Sequence, residues 1–242
     1  MKIVADLHTH SVVSTHAYST IYENCRAAYE RGLFAIATTD HGPKIEDGAH
    51  PYFFRGLSHI LPRHVGGVYL IRGIEANILN EAGDVDIFPE WSDVFDFGIA
   101  SIHEASFGKS DFDRTTNAYL NVLDNPNIDL LGHSGTIEYT YDFERVIKKC
   151  ADLGKMIEIN AATFRYRESS LKNCREIAKL CAKHGVYVMV NSDSHICETV
   201  GVVDEPLRML EEINFPEELV MNGDIQRLAK FFADKKGLNI LE

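Results

Sequence analysis

None of the five cysteines (Cys25, Cys150, Cys174, Cys181, Cys197) pairs with another in a C-x-x-C motif. An odd, scattered set argues against a disulfide framework or a cysteine-based zinc site and fits reduced thiols in a cytoplasm. No apolar run approaches the ~18 residues that a membrane span requires. The opening stretch, MKIVADLHTH, places polar and ionisable groups where a signal peptide needs an apolar segment. Basic residues are few: 24 Lys and Arg stand against 36 Asp and Glu, a formal net charge of −12 at pH 7. That balance argues against nucleic acid or an anionic membrane as partner, since both need a basic footprint. Taken alone it also disfavours a phosphorylated substrate. Ser/Pro/Gly-rich linkers, repeats and low-complexity segments are missing as well, so residues 1–242 are expected to form one domain of a soluble cytoplasmic protein.

With 45% hydrophobic and 25% charged residues, the chain has the composition of a folded globular protein. Short β-rich runs alternate with helical patterns. Strands are expected at Lys2–Leu7, Phe34–Thr39, Tyr69–Ile74, Phe97–Ile102, Asp129–Leu131, Met156–Asn160 and Val186–Val190. The spacing predicts helices over Thr20–Arg31, Tyr141–Leu153 and Ser170–His184, each stopped by a glycine at Gly32, Gly154 or Gly185. All the cysteines except Cys197 fall on stretches that read as helices, where a small apolar side chain packs well. Asn80–Asp86 reads as a tight turn and a short return strand. The strands are continuous apolar runs, as expected when both faces are covered, and β/α alternation implies a parallel sheet.

Eleven histidines complete the composition, and their positions matter more than their number. The first strand ends in Asp6-Leu7-His8-Thr9-His10-Ser11, and the two-residue period of a strand puts both imidazoles on one face. His is the commonest ligand of zinc, iron, manganese or nickel, so this pair is a candidate chelate. Other strands end in Asp40-His41, Glu75, His103, His133 and Asp193-Ser194-His195. Six of the seven apolar runs thus finish in a metal-binding group. A closed parallel barrel gathers its strand C-termini into one ring, whereas an open sheet would spread them along an edge. The expected fold is therefore an α/β barrel. His8, His10, His16, His41, Glu75, His103, His133, Asp193 and His195 are more donors than one tetrahedral zinc can use and suit a cluster of two or three ions. His184, in the last turn of a helix, suits the helix dipole. His59 and His64 read as solvated, and His50 as a loop or mouth residue.

Asp6-Leu7-His8-Thr9-His10-Ser11, His16, Thr39-Asp40-His41-Gly42, Gly73-Ile74-Glu75-Ala76-Asn77, His133 and Ser192-Asp193-Ser194-His195 resemble the PHP (polymerase and histidinol phosphatase) superfamily. Ser14-Thr15-His16-Ala17-Tyr18-Ser19, Asp40-His41-Gly42-Pro43 and Ile213-Asn214-Phe215-Pro216 are similar to its YcdX-type phosphatases. The resemblance spans the whole chain. It implies a distorted (β/α)7 TIM-like barrel and three divalent metal ions per chain, usually zinc, with manganese or iron as alternatives. One ion would be held by His8, His10, Glu75 and Asp193, a second by Glu75, His103 and His133, a third by His16, His41 and His195. A homotrimer is implied as well.

The activity so implied is hydrolysis of a small phosphomonoester by metal-activated hydroxide, since a cation lowers the pKa of its water toward neutrality. Glu75 would bridge two ions, and Asp193 or a water would protonate the leaving group. Arg165 and Arg167, just past the sixth strand, are placed to grip phosphate bidentately, or else belong to an ordinary solvated loop. Arg72 and Lys44 are weaker candidates. Histidinol-phosphate phosphatase and a non-catalytic metal-binding barrel are the alternatives. Cations at the mouth would let an acidic protein present a cationic pocket, so the net charge no longer excludes a small phosphate ester.

Overall fold

The computed structural model describes residues 1–91 and 93–242. Seven strands run parallel in the order β1 (Ala5–Asp6), β2 (Ala35–Thr38), β4 (Val68–Asn77), β5 (Phe97–Ser101), β6 (Leu130–Leu131), β7 (Met156–Asn160) and β8 (Val188–Asn191). β3 (His64–Val65) adds an antiparallel pairing to β4. The sheet curls into a nearly closed barrel, the expected (β/α)7 form. Its helices are α1 (Ile21–Glu30), α2 (Pro51–Ile60), α3 (Glu104–Phe107), α4 (Phe112–Val122), α5 (Phe143–Leu153), α6 (Ala161–Tyr166), α7 (Leu171–His184), α8 (Asp204–Glu212) and α9 (Ile225–Lys236). Among the described residues no helix is long and apolar enough to cross a membrane.

Successive strand residues feed two different cores. Ile71, Ile99 and Met189 point inward with Ala5, Tyr69 and Phe97, and the α9 side chains Leu228 and Phe232 plug that end of the barrel. Their neighbours Ala100, Leu131, Val188 and Val190 face outward against Tyr119 of α4, Ile147 of α5 and Ile177 of α7. Burial on both faces explains the continuous apolar runs. Thr20 and Glu23 form a capping box at the start of α1, and Gly154 and Gly185 end α5 and α7 in the left-handed conformation. Cys25, Cys150, Cys174 and Cys181 are buried on α1, α5 and α7, and all five thiols are free.

Three local expectations change. The β3–β4 hairpin was not anticipated, although Gly66 (φ +60°) and Gly67 (φ +96°) make the turn that brings His64 opposite Tyr69. The return strand in Asn80–Asp86 shrinks to one bridge, Ile78 to Val85. The first strand is two residues long instead of six: on either side of it, Val4 donates its N–H to the Asn222 carbonyl at 2.8 Å and Leu7 donates to Asn191 Oδ1 at 3.0 Å.

Asn222 fills the seam where β1 and β8 fail to form a ladder. Its Nδ2 donates to Ala5 O and Val190 O, both at 2.8 Å, while its Oδ1 accepts from Val190 N at 3.1 Å. Further up, the seam is tied by His10 N to Ser194 O at 2.8 Å. Asn222→Leu keeps the branching of the side chain but strips three buried main-chain groups of partners, so unfolding free energy should fall by about 2–4 kcal/mol in urea titrations. A loss within ~0.5 kcal/mol would show that the seam does not depend on this side chain.

Candidate metal centre

The candidate ligands gather at the C-terminal rim. Glu75 sits at the centre, fully buried near the end of β4. Its Oε2 lies 2.8 Å from His41 Nδ1 and 3.4 Å from both His8 Nε2 and His10 Nε2. Its Oε1 lies 3.0 Å from His133 Nε2 and 3.4 Å from His103 Nε2. Asp193 Oδ1 is 3.2 Å from His10 Nε2 and 3.5 Å from His8 Nε2. The His16 ring stacks on His195 at 4.3 Å, and the His195 ring stacks on His10 at 4.2 Å. All nine positions singled out in the sequence therefore share one cluster.

Three of the rings are oriented by side chains beyond the nine, and a fourth by main chain. His8 Nδ1 contacts Glu158 Oε1 at 2.7 Å, His16 Nδ1 contacts Asp47 Oδ2 at 2.6 Å, and His103 Nδ1 contacts Asn77 Oδ1 at 2.7 Å. His195 Nδ1 lies 3.2 Å from the Asp193 carbonyl. These contacts leave Nε2 pointing inward, as in the usual carboxylate–histidine–metal arrangement. His41 is reversed and presents Nδ1 to Glu75. Local backbone helps. His133 (φ +27°) and Asp193 (φ +52°) adopt left-handed conformations that non-glycine residues take only at a cost. A Cβ on Gly42 would collide with the Asp86 carboxylate, which itself holds the Asn77 amide behind His103.

Electrostatics follows from this crowding. Burial disfavours charge on Glu75 and Asp193, yet His8 with other imidazoles holds both well below the usual carboxylate range. Burial and the neighbouring His41 and His195 push His10 well below the usual imidazole range. His8 also pays a desolvation penalty, but Glu158, Asp193 and Glu75 draw it well above that range. The donor set fits metal. His8 Nε2, His10 Nε2 and His195 Nε2 are buried and have no hydrogen-bond partner among the described residues, while His41 Nδ1 and Glu75 Oε2 face each other at 2.8 Å. Such orphans are rare in native proteins, and cations would satisfy all of them. The donor atoms form close groups: His8, His10 and Glu75; His41, Glu75 and His103; His10, His41 and His195; His16, His41 and Asp47. His41 thus belongs to three groups rather than to one separate set.

A cavity of about 230 Å³ lies over the cluster, and four of its lining residues, His103, Glu104, His133 and Arg167, also line one of about 670 Å³. Arg167 lines both, and its Nη1 is buried without a partner among the described residues. Arg165 is turned elsewhere: its Nη2 donates to the Val202 carbonyl at 2.6 Å, beside Asp204 and Glu205. Arg72 bonds the Leu61 carbonyl. The other histidines stay out of the cluster. His50 caps α2 by accepting from Tyr52 N, His184 meets Glu144 at 3.1 Å, and His59 and His64 are exposed.

Asp47 and Glu158 are the additions of the structure. Glu158 had a signal, a lone charge inside the apolar run Met156–Asn160, whereas Asp47 lies in a loop with nothing to mark it. A ring of strand-end histidines around one carboxylate is the layout that the sequence motifs implied, and a PHP domain model matches residues 6–193. The chain belongs to the PHP domain family.

Relatives within the PHP family extend this along the whole chain. A probable phosphatase of Caldanaerobacter subterraneus subsp. tengcongensis is 42% identical over 238 residues, covering 98% of this chain and 93% of its own length. One from Clostridium novyi is 40% identical over 242 residues, covering 100% and 99%. The chain is accordingly a PHP phosphatase, a hydrolase. Solved structures are alike in fold. Histidinol phosphate phosphatase of Lactococcus lactis, complexed with zinc, L-histidinol and phosphate, has a TM-score of 0.63 at 17% identity and covers 89% of this chain and 95% of its own. A structure from the pair of metal-dependent tyrosine phosphatases YwqE of Bacillus subtilis and CpsB of Streptococcus pneumoniae has a TM-score of 0.54 at 15% identity and covers 90% of each chain.

Proposed function

We propose that this PHP phosphatase, one barrel over residues 1–242, hydrolyses a small phosphomonoester at a centre of three divalent cations, zinc in the first instance. The orphaned inward-facing nitrogens around Glu75 carry the reading. His8, His10, Glu75 and Asp193 would hold one cation, Glu75, His103 and His133 a second, and His16, His41 and His195 a third. When bound, such ions neutralise phosphoryl oxygens and make water a nucleophile near neutral pH.

The chain's own residues do the rest. Glu75 turns one oxygen to each side of the cluster and so spaces the two sides. Arg167, at the junction of the cavities, donates to phosphate oxygens with the Nη1 that has no internal partner. Asp193, its Oδ2 steadied by Asn160 Nδ2 at 3.1 Å, or a water beside it carries the proton of the attacking water to the leaving oxygen as the P–O bond breaks. The leaving alcohol occupies the larger cavity, between Lys109, Glu104, Glu138 and the Tyr139 and Tyr166 rings. A cleft of about 670 Å³ suits a small molecule.

Elemental analysis combined with a phosphomonoester panel tests the proposal. Two to three cations per chain and turnover of at least one ester are expected. Histidinol phosphate belongs in the panel, because preferential turnover there would name the substrate. Full metal occupancy without turnover of any ester would leave only a metal-binding barrel. Light scattering on the same sample tests the homotrimer.

A further inference from the structure

Glu158 lies inside β7, 3% exposed, and none of the candidate ligand groups includes it. Four donors converge on its carboxylate. Oε1 accepts from His8 Nδ1 at 2.7 Å and from Asn191 Nδ2 at 2.9 Å. Oε2 accepts from the His133 main-chain N–H at 2.8 Å and from Asn160 Nδ2 at 3.0 Å. Every partner donates, so an acceptor-only carboxylate matches the site and an amide does not.

Two of those partners stand on opposite sides of Glu75. His8 Nε2 faces its Oε2 at 3.4 Å, and His133 Nε2 faces its Oε1 at 3.0 Å. His133 also carries the φ of +27°, a conformation that needs support from its surroundings. We infer that Glu158 is a positioning residue that presets both sides of the metal centre, fixing the ring of His8 and the backbone of His133 from one buried carboxylate. This rests on the metal reading proposed above. Donation of Nδ1–H to a carboxylate leaves the His8 Nε2 lone pair free and more basic. Anchoring the His133 N–H holds the strand-end twist that turns its ring toward Glu75. Cations on both sides of Glu75 therefore depend on a residue that touches neither.

Glu158→Gln is nearly isosteric, but it exchanges one acceptor oxygen for an NH2 that must face donors. Zinc affinity, measured by competition with a chromophoric chelator, should weaken about 10- to 100-fold. The Co2+-loaded variant should show an altered visible absorption band. Asp129→Asn is the control, a buried carboxylate before β6 that accepts from Gly98 N at 2.9 Å and contacts no histidine. It should lower the melting temperature and leave zinc affinity unchanged. An independent reading comes from long-range 1H–15N spectra of the zinc-loaded wild type, where His8 should keep its proton on Nδ1. Zinc affinity in Glu158→Gln equal to wild type, an equal loss in Asp129→Asn, or a bare His8 Nδ1 would each overturn the role of Glu158. A wild-type chain that binds no zinc would instead fail the metal reading itself, and this inference with it.

Discussion

Glu75→Gln should lower kcat/KM by about 10³-fold or more, equivalent to roughly 4 kcal/mol of transition-state stabilisation. The two Glu75 oxygens contact the ring nitrogens of His8, His10, His41, His103 and His133 within 3.4 Å. An amide supplies one acceptor oxygen without charge, and its NH2 has no lone pair to offer a cation on the other side. The side chain is fully buried, so water cannot make up the missing charge. Metal content should fall together with activity, which separates this role from a purely chemical one. Steady-state kinetics and elemental analysis on one preparation check both. A variant with full metal occupancy and activity within tenfold of wild type would refute the central place of Glu75.

Removal of the cations should produce the second large effect. Chelation is expected to abolish turnover, with recovery when zinc, manganese or iron is restored. The metal-free protein should also melt earlier. Each ion that binds the folded chain at 1,000 times its Kd contributes about 4 kcal/mol, which for a chain of this size corresponds to roughly 8–16 °C per site. The physical source would be the buried inward-facing nitrogens, left without the cations while two carboxylates stay packed among imidazoles. Differential scanning calorimetry before and after chelation gives the shift. An unchanged melting temperature would mean that the cluster is satisfied without metal.

The net charge of −12 looked at first like an obstacle to any phosphate ester. It describes the whole chain, whereas the proposed site lies at the rim, where the histidines, Arg167 and the cations proposed there would set the local field. The acidic exterior still disfavours nucleic acid.

Much of the centre was legible in the chain because its signals are local. The period of a strand places His8 and His10 on one face, and apolar runs ending in His, Glu or Asp mark the rim. The stops at Gly154 and Gly185 require only a left-handed residue after a helix. Asn222 shows the limit. It closes the seam between β1 and β8 from 31 residues beyond the end of β8, and no local pattern announces such a wedge.

Arg165 and Arg167 divide on the same ground. Two residues apart, they read alike in sequence, yet one bonds Val202 and the other borders the cavity over the histidines. His41 turns Nδ1 rather than Nε2 inward, and Asp47 reaches His16 from a separate loop. By itself the sequence determined the family, the barrel and the ring of nine donors, since each depends on periodicity or on short motifs. Tertiary structure alone decided which nitrogen faces Glu75, which arginine faces the cavity and which buried carboxylate holds His8. Those outcomes depend on packing between residues distant in the chain, where the energy of a contact is set by closure of the barrel and not by its neighbours in sequence.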